Sequence, residues 1–171
     1  MASAAALRSR PGDDAEPARL EDIARRRITR ELHQLKNNSS GADSMVKARW
    51  EREPWEWAAK LKGPEESPYA RGVFKVHVTF SVVYPFKPPE LRLETKIWHP
   101  NFPPDGRIYL DSDRWDPSYT VEAILYSIVT LLRYPDNRNS ELRNGYAKTT
   151  NKGFETTARA YTDRYAVEPW D

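Results

Sequence analysis

The stretch VFKVHVTFSVVYPFKPPELRLE, residues 73–94, decides the fold. Phe74, Val76, Val78 and Phe80 alternate with Val73, Lys75, His77 and Thr79, which is the period of a strand with one buried face. Pro85, Pro88 and Pro89 then break the pattern, because proline lacks the N–H that a sheet ladder needs. Leu91 and Leu93, set between Glu90, Arg92 and Glu94, restart it. Two strands joined through a proline-rich turn follow.

Working outward toward the N-terminus, the same period recurs twice. Trp55, Trp57, Ala59 and Leu61 alternate with Glu56, Ala58, Lys60 and Lys62, and Val46, Ala48 and Trp50 alternate with Lys47 and Arg49. Gly63-Pro64, Pro68 and Gly72 supply the intervening turns. The sum is a four-stranded antiparallel meander, since alternation means that one face is wet. Upstream of it, Leu20, Ile23, Ala24, Ile28, Leu32 and Leu35 recur at helical spacing over residues 20–36. Arg25, Arg26, Arg27 and Arg30 fall between them on the expected outward face, and Asn37 to Gly41 ends the helix. Residues 1–18, rich in Ala, Ser, Arg and Pro, read as a tail with too little apolar surface to order itself.

Working toward the C-terminus, residues 96–119 form a long irregular stretch of the kind that carries function. Val121, Ile124, Leu125, Ile128, Leu131 and Leu132 then mark a buried helix, with Thr120 placed to cap it and Glu122 at its positive end. A short helical stretch over 140–147 and a last helix carrying Phe154, Ala158, Tyr161 and Tyr165 complete an α+β domain over 19–167, with 168–171 as a C-terminal tail.

Composition narrows the function. Hydrophobic residues make up 39% of the 171-residue chain, enough for one core. No apolar run is long enough to span a bilayer. A net charge of +2 gives no case for nucleic acid. The three histidines, His33, His77 and His99, lack metal-ligand spacing, and no cofactor or metal site is expected. The chain has no cysteine, which removes every mechanism built on a thiolate. The first ten residues lack acidic side chains in the manner of a mitochondrial presequence, but Asp13, Asp14 and Glu16 break that pattern. The expected location is intracellular, cytoplasmic or nuclear, with mitochondria as the alternative.

The order of motifs resembles the ubiquitin-conjugating (UBC) enzyme family. Gly63-Pro64, Ser67-Pro68-Tyr69 and Gly72-Val73-Phe74 look like that family's strand connection, and Tyr84 to Pro89 like its proline-rich turn. His99-Pro100-Asn101, Gly106-Arg107-Ile108, Leu110-Asp111 and Trp115 with Pro117 follow in family order, so the likeness runs from about Arg26 to Tyr165. It implies a UBC-like fold: N-terminal helix, meander, active-site-type loop, central helix and C-terminal helices.

The departures bear on function. The resemblance places a nucleophilic cysteine eight residues after the tripeptide asparagine, ahead of Leu-Asp; here that position is Tyr109, ahead of Leu110-Asp111. A phenol has a pKa near 10 against about 8.5 for a thiol and is the poorer nucleophile at neutral pH. Tyr109 is expected to plug an abandoned groove. The segment from Asp111 to Trp115 is about two residues shorter than the family spacing, Asn139 stands where many members carry a carboxylate, and Asp116 replaces a common serine. Asn101 and Asn139 are accordingly read as vestigial, with Asn101 bracing its loop and His99 a buried hydrogen-bonding residue.

Partner-binding positions implied by the resemblance are Arg26, Arg27 and Arg30 on the first helix, Phe86 in the proline-rich turn, and Trp115 with Pro117 in the second loop, while Asp116 and Ser118 depart from common ligase-binding choices. The expectation is a catalytically inactive scaffold or accessory subunit of a larger assembly, with other protein subunits as partners. The tail and the arginine face would dock it there. The alternative is a ubiquitin-pathway cofactor whose partner is ubiquitin or an active conjugating enzyme.

Overall fold

The computed structural model describes residues 15–41, 43–110, 112–136 and 151–170. Helix α1 (Ala15–Asn38) leads into strands β1 (Val46–Arg52), β2 (Glu56–Lys62), β3 (Val73–Thr79), β4 (Glu90–Leu93) and β5 (Arg107–Ile108). Helices α2 (Val121–Arg133) and α3 (Asn151–Tyr165) follow. The sheet is antiparallel in the order β1-β2-β3-β4-β5. The α+β reading and the meander hold, with one addition: β5 is a two-residue edge strand within the stretch expected to be wholly irregular.

Helix α1 begins at Ala15, so residues 15–18 are helical where composition had put tail. Pro17 is tolerated there because the first-turn N–H groups have no intrahelical partner, and Glu16 suits the positive helix end. Ala24, Ile28, Leu32 and Leu35 are all buried as expected, but Ile23 is 43% exposed. Each helical residue turns about 100°, so Ile23 lies well off the stripe that Ala24 and Ile28 define.

The inner face of the sheet follows from register. Trp50, Trp57, Val78, Leu91 and Ile108 line up across all five strands, and Ala48, Ala59, Val76 and Leu93 form the row beside them. This face packs with α1 and α2 in one core. Helix α2 buries Val121, Ile124, Leu125, Ile128, Val129 and Leu132, and the Thr120 hydroxyl caps it by accepting from the Ala123 N–H at 3.2 Å. Asn38 at the end of α1 donates to the Glu122 carboxylate at 3.0 Å, tying the two helices together.

Two glycines hold loops close to strands. A Cβ on Gly63 would lie 1.7 Å from the Tyr69 carbonyl oxygen, so the β2–β3 connection can fold back only over glycine. Gly106 has φ +76°, and its carbonyl accepts from the Leu93 N–H at 2.7 Å, which brings β5 alongside β4. The expected helical stretch at 140–147 lies outside the described residues.

Candidate functional site

The loop between β4 and α2 is fixed from the inside by His99. Its ring is fully buried, contacts Phe102 and Tyr69, and lies 2.9 Å through Nε2 from the Leu131 carbonyl. Nδ1 accepts the Asn101 N–H at 3.0 Å, so the proton sits on Nε2 and the ring is neutral. Burial pushes the His99 pKa down to about 4, and the Leu131 hydrogen bond only partly opposes this.

Asn101 is committed in the same way. Its Nδ2 donates to the Asp136 carbonyl at 2.7 Å, and its Oδ1 accepts the Asp136 N–H at 2.8 Å. Both ends of the amide are therefore used to pin the backbone that leaves α2. The bracing role expected for Asn101, and the buried hydrogen-bonding role expected for His99, are both present.

Tyr109 is not a plug. Its side chain is 76% exposed, and its hydroxyl bonds to none of the described residues. The reason is strand alternation: Ile108 packs against the core opposite Leu91, so Tyr109 points to the side that Arg107 occupies. It stands at the rim of an open groove of about 620 Å³, beside Lys87, Pro88, Arg107 and Ser112. The segment beyond it, expected to be short, carries a single 3₁₀ turn, Ser112–Arg114. Asp111 and Asn139 lie outside the described residues.

Trp115 staples the second loop to the proline-rich turn by donating from Nε1 to the Pro85 carbonyl at 2.6 Å, with its ring near Tyr84 and Tyr119. Asp116 closes a local turn: its Oδ1 accepts the Ser118 N–H at 2.8 Å, and hydrogen bonds from Ser118 hold its carboxyl below the usual range. Asp116, expected to replace a common serine, thus organises this turn.

Sequence reasoning missed Glu31, and this changes the reading of Arg27. Glu31 is 4% exposed, and its Oε1 accepts from Arg27 and from the Tyr84 hydroxyl, the latter at 2.6 Å. Its Oε2 accepts the Val121 N–H at 2.8 Å, one of the unpaired donors that open α2. Burial alone would lower the Arg27 pKa, but the hydrogen bond and charge of Glu31 outweigh it and hold the guanidinium above its ordinary value. Burial first, then the Glu31 charge, raises the Tyr84 pKa. Arg27 also donates to the Tyr119 carbonyl at 2.9 Å. It is therefore an internal tie, not part of the outward face. The available signal was spacing, since Glu31 sits among Ala24, Ile28, Leu32 and Leu35 on the buried stripe.

The remaining implied binding positions are at the surface. Arg26 pairs with Asp22 at 3.0 Å, and Arg30 is exposed with no partner among the described residues. Phe86 is 58% exposed and Pro117 is exposed, joined by Tyr119 and Val82, which sequence reading did not single out. The Arg27–Tyr119 and Trp115–Pro85 hydrogen bonds draw helix, turn and loop into one region. Among the described residues there is no group of side chains that could hold a metal ion, and no helix is long and apolar enough to cross a membrane. Set against known protein families, residues 27–164 match the one described as ubiquitin-conjugating enzyme.

Proposed function

The chain belongs to the ubiquitin-conjugating enzyme family, and from that premise we propose that it is a catalytically inactive member serving as a protein-binding scaffold or accessory subunit. The observation that carries this reading is Tyr109: an exposed phenol stands where the resemblance places the family's nucleophile, in a chain with no cysteine. Thioester exchange needs a sulfur nucleophile that is appreciably ionised near neutral pH. A phenol does not meet that need, and Tyr109 has no hydrogen bond from a described residue to activate it. Asn101 and His99 are consistent with this reading, because both are spent on the fold.

The test is incubation with ubiquitin, activating enzyme and ATP. No covalent adduct is expected. A stable shifted band that disappears in Tyr109→Phe would overturn the non-enzyme reading.

The second reading, a ubiquitin-pathway cofactor acting beside an active conjugating enzyme, is favoured by one observation. The apolar turn residue through which the family meets its partners, Phe86, remains exposed. Co-purification at native level separates the two. One stoichiometric assembly supports the scaffold; ubiquitin or a conjugating enzyme supports the cofactor.

A further inference from the structure

Four tyrosines expose much of their rings: Tyr109, Tyr119, Tyr126 and Tyr134. Their backbones decide which of them another protein can draw out into an extended pose. Tyr126 lies within α2, and Tyr134 closes that helix with its N–H on the Thr130 carbonyl at 2.8 Å and its ring beside the Arg133 guanidinium. Tyr119 is held twice, by its ring edge against Trp115 at 5.8 Å and by its carbonyl, which accepts from Arg27 at 2.9 Å. Extending any of these three means unwinding α2 or breaking the Arg27 tie.

Tyr109 is different. It directly follows β5, the last strand of the sheet, whose ladder to β4 consists of Leu91 with Ile108 and Arg92 with Arg107. A two-residue edge ladder belongs to the low-stability end of a fold and opens locally at small cost. Arg107 and Ile108 are already extended, so opening delivers a straight segment. Asp105 and Asp113 stand four residues to either side of Tyr109 in sequence. The groove beside the ring carries Lys87, Arg92 and Arg107 against Glu90, with His77 hydrogen-bonded to Glu51 at 3.0 Å. Arg92 is engaged by the Asp105 carbonyl at 3.1 Å. Arg107 reaches the Asp105 carboxylate only at 3.9 Å, and Lys87 is exposed with no ion pair among the described residues. Two cations at the rim are therefore open to an anion carried on Tyr109 itself.

We propose that Tyr109 is a phosphorylation site, modified by a tyrosine kinase with ATP, and that Lys87 and Arg107 then hold the phosphate at the groove rim. The phenolic oxygen attacks the γ-phosphorus of ATP, the bond from that phosphorus to the ADP oxygen breaks, and the phenolic proton passes to the kinase's carboxylate base. The product carries about −1.5 to −2 charge and three acceptor oxygens. Arg107, two residues back along the chain, lies on the same side at about 7 Å along the strand, a gap that two long side chains close. The groove rim becomes a reversible charge switch, anionic when modified and neutral when not. The inference goes beyond the binding-module reading and fails separately from it. A ubiquitin adduct on Tyr109 would overturn that reading alone, and absence of phosphoryl transfer would overturn this one alone.

The experiment treats the full chain with magnesium ATP and the catalytic domain of a tyrosine kinase that selects acidic flanks, and follows each tyrosine by mass spectrometry. Tyr109 should be labelled at least about tenfold faster than Tyr119, Tyr126 or Tyr134. In the purified product the phosphorus NMR signal should titrate at a pH lower by about 0.5 or more than phosphotyrosine in a synthetic peptide of residues 105–113, because the two cations favour the dianion. Changing Lys87→Gln and Arg107→Gln together should cancel that difference, and both side chains are exposed, so the variant keeps its fold. No label on Tyr109, equal labelling of the other three, or a phosphate that titrates as in the peptide would overturn the proposal.

Discussion

Asn101 clamps Asp136 at two points: its Nδ2 donates a hydrogen bond to the Asp136 carbonyl at 2.7 Å, and its Oδ1 accepts one from the Asp136 N–H at 2.8 Å. The contact joins the loop after β4 to the exit of α2 across 35 residues of sequence. Replacing Asn101 by Ala removes both bonds and should cost about 1–3 kcal/mol of stability. The check is the urea midpoint at constant slope; an unchanged midpoint would mean that the clamp carries no stability.

Glu31 offers a larger effect. Glu31→Ala strands the half-buried Arg27 guanidinium and the Tyr84 hydroxyl, and should cost about 3–5 kcal/mol. Because Arg27 and Glu31 share one contact, the double change to alanine should cost clearly less than the two single costs added. Additive losses in a double-mutant cycle would contradict the coupling.

His99 makes stability depend on pH with a definite sign. Its pKa is about 4 in the fold against an ordinary 6.5, so between those values the unfolded chain binds the extra proton. This contribution is fully present above pH about 6.5 and is lost as pH falls toward 4, by about 3 kcal/mol at most. Urea unfolding of the parent and of His99→Gln across that range should show a flatter profile for the variant. Parallel profiles would place the titration elsewhere.

Tyr109→Cys should leave stability within about 0.5 kcal/mol, because the side chain is 76% exposed. It should not restore robust transfer of ubiquitin to lysine, if Asn139 stands, as the resemblance implies, where many members carry a carboxylate and the segment before Trp115 is shorter than theirs. A loading assay followed by discharge to free lysine distinguishes the steps. Discharge at the rate of an active family member would show that only the cysteine was missing.

The long periodic elements were legible because their periods repeat. The stripe from Ala24 to Leu35, the four long strands and the Thr120 cap all appear where spacing put them. Two residues are too few to show a period, so β5 stayed hidden, and with it the alternation that turns Tyr109 outward. Arg27 was misplaced because an arginine on the edge of a stripe reads as solvent-facing until the buried carboxylate beside it is known. The cross-strand row of Lys47, Lys60 and Lys75 was present in the sequence, but Glu168 to Trp170, which meet it in the fold, lie more than ninety residues away from Lys75 and farther still from Lys47. Pairing across such a distance leaves no local trace.

The buried ring of His99 and the doubly bonded amide of Asn101 have a consequence for reading other chains. A domain has to fold whether or not it turns over substrate, and it will keep a tripeptide whose histidine fills a core and whose asparagine pins a helix exit. The tripeptide is then a record of architecture, and a chain bearing it has to be judged by the side chain eight positions further on.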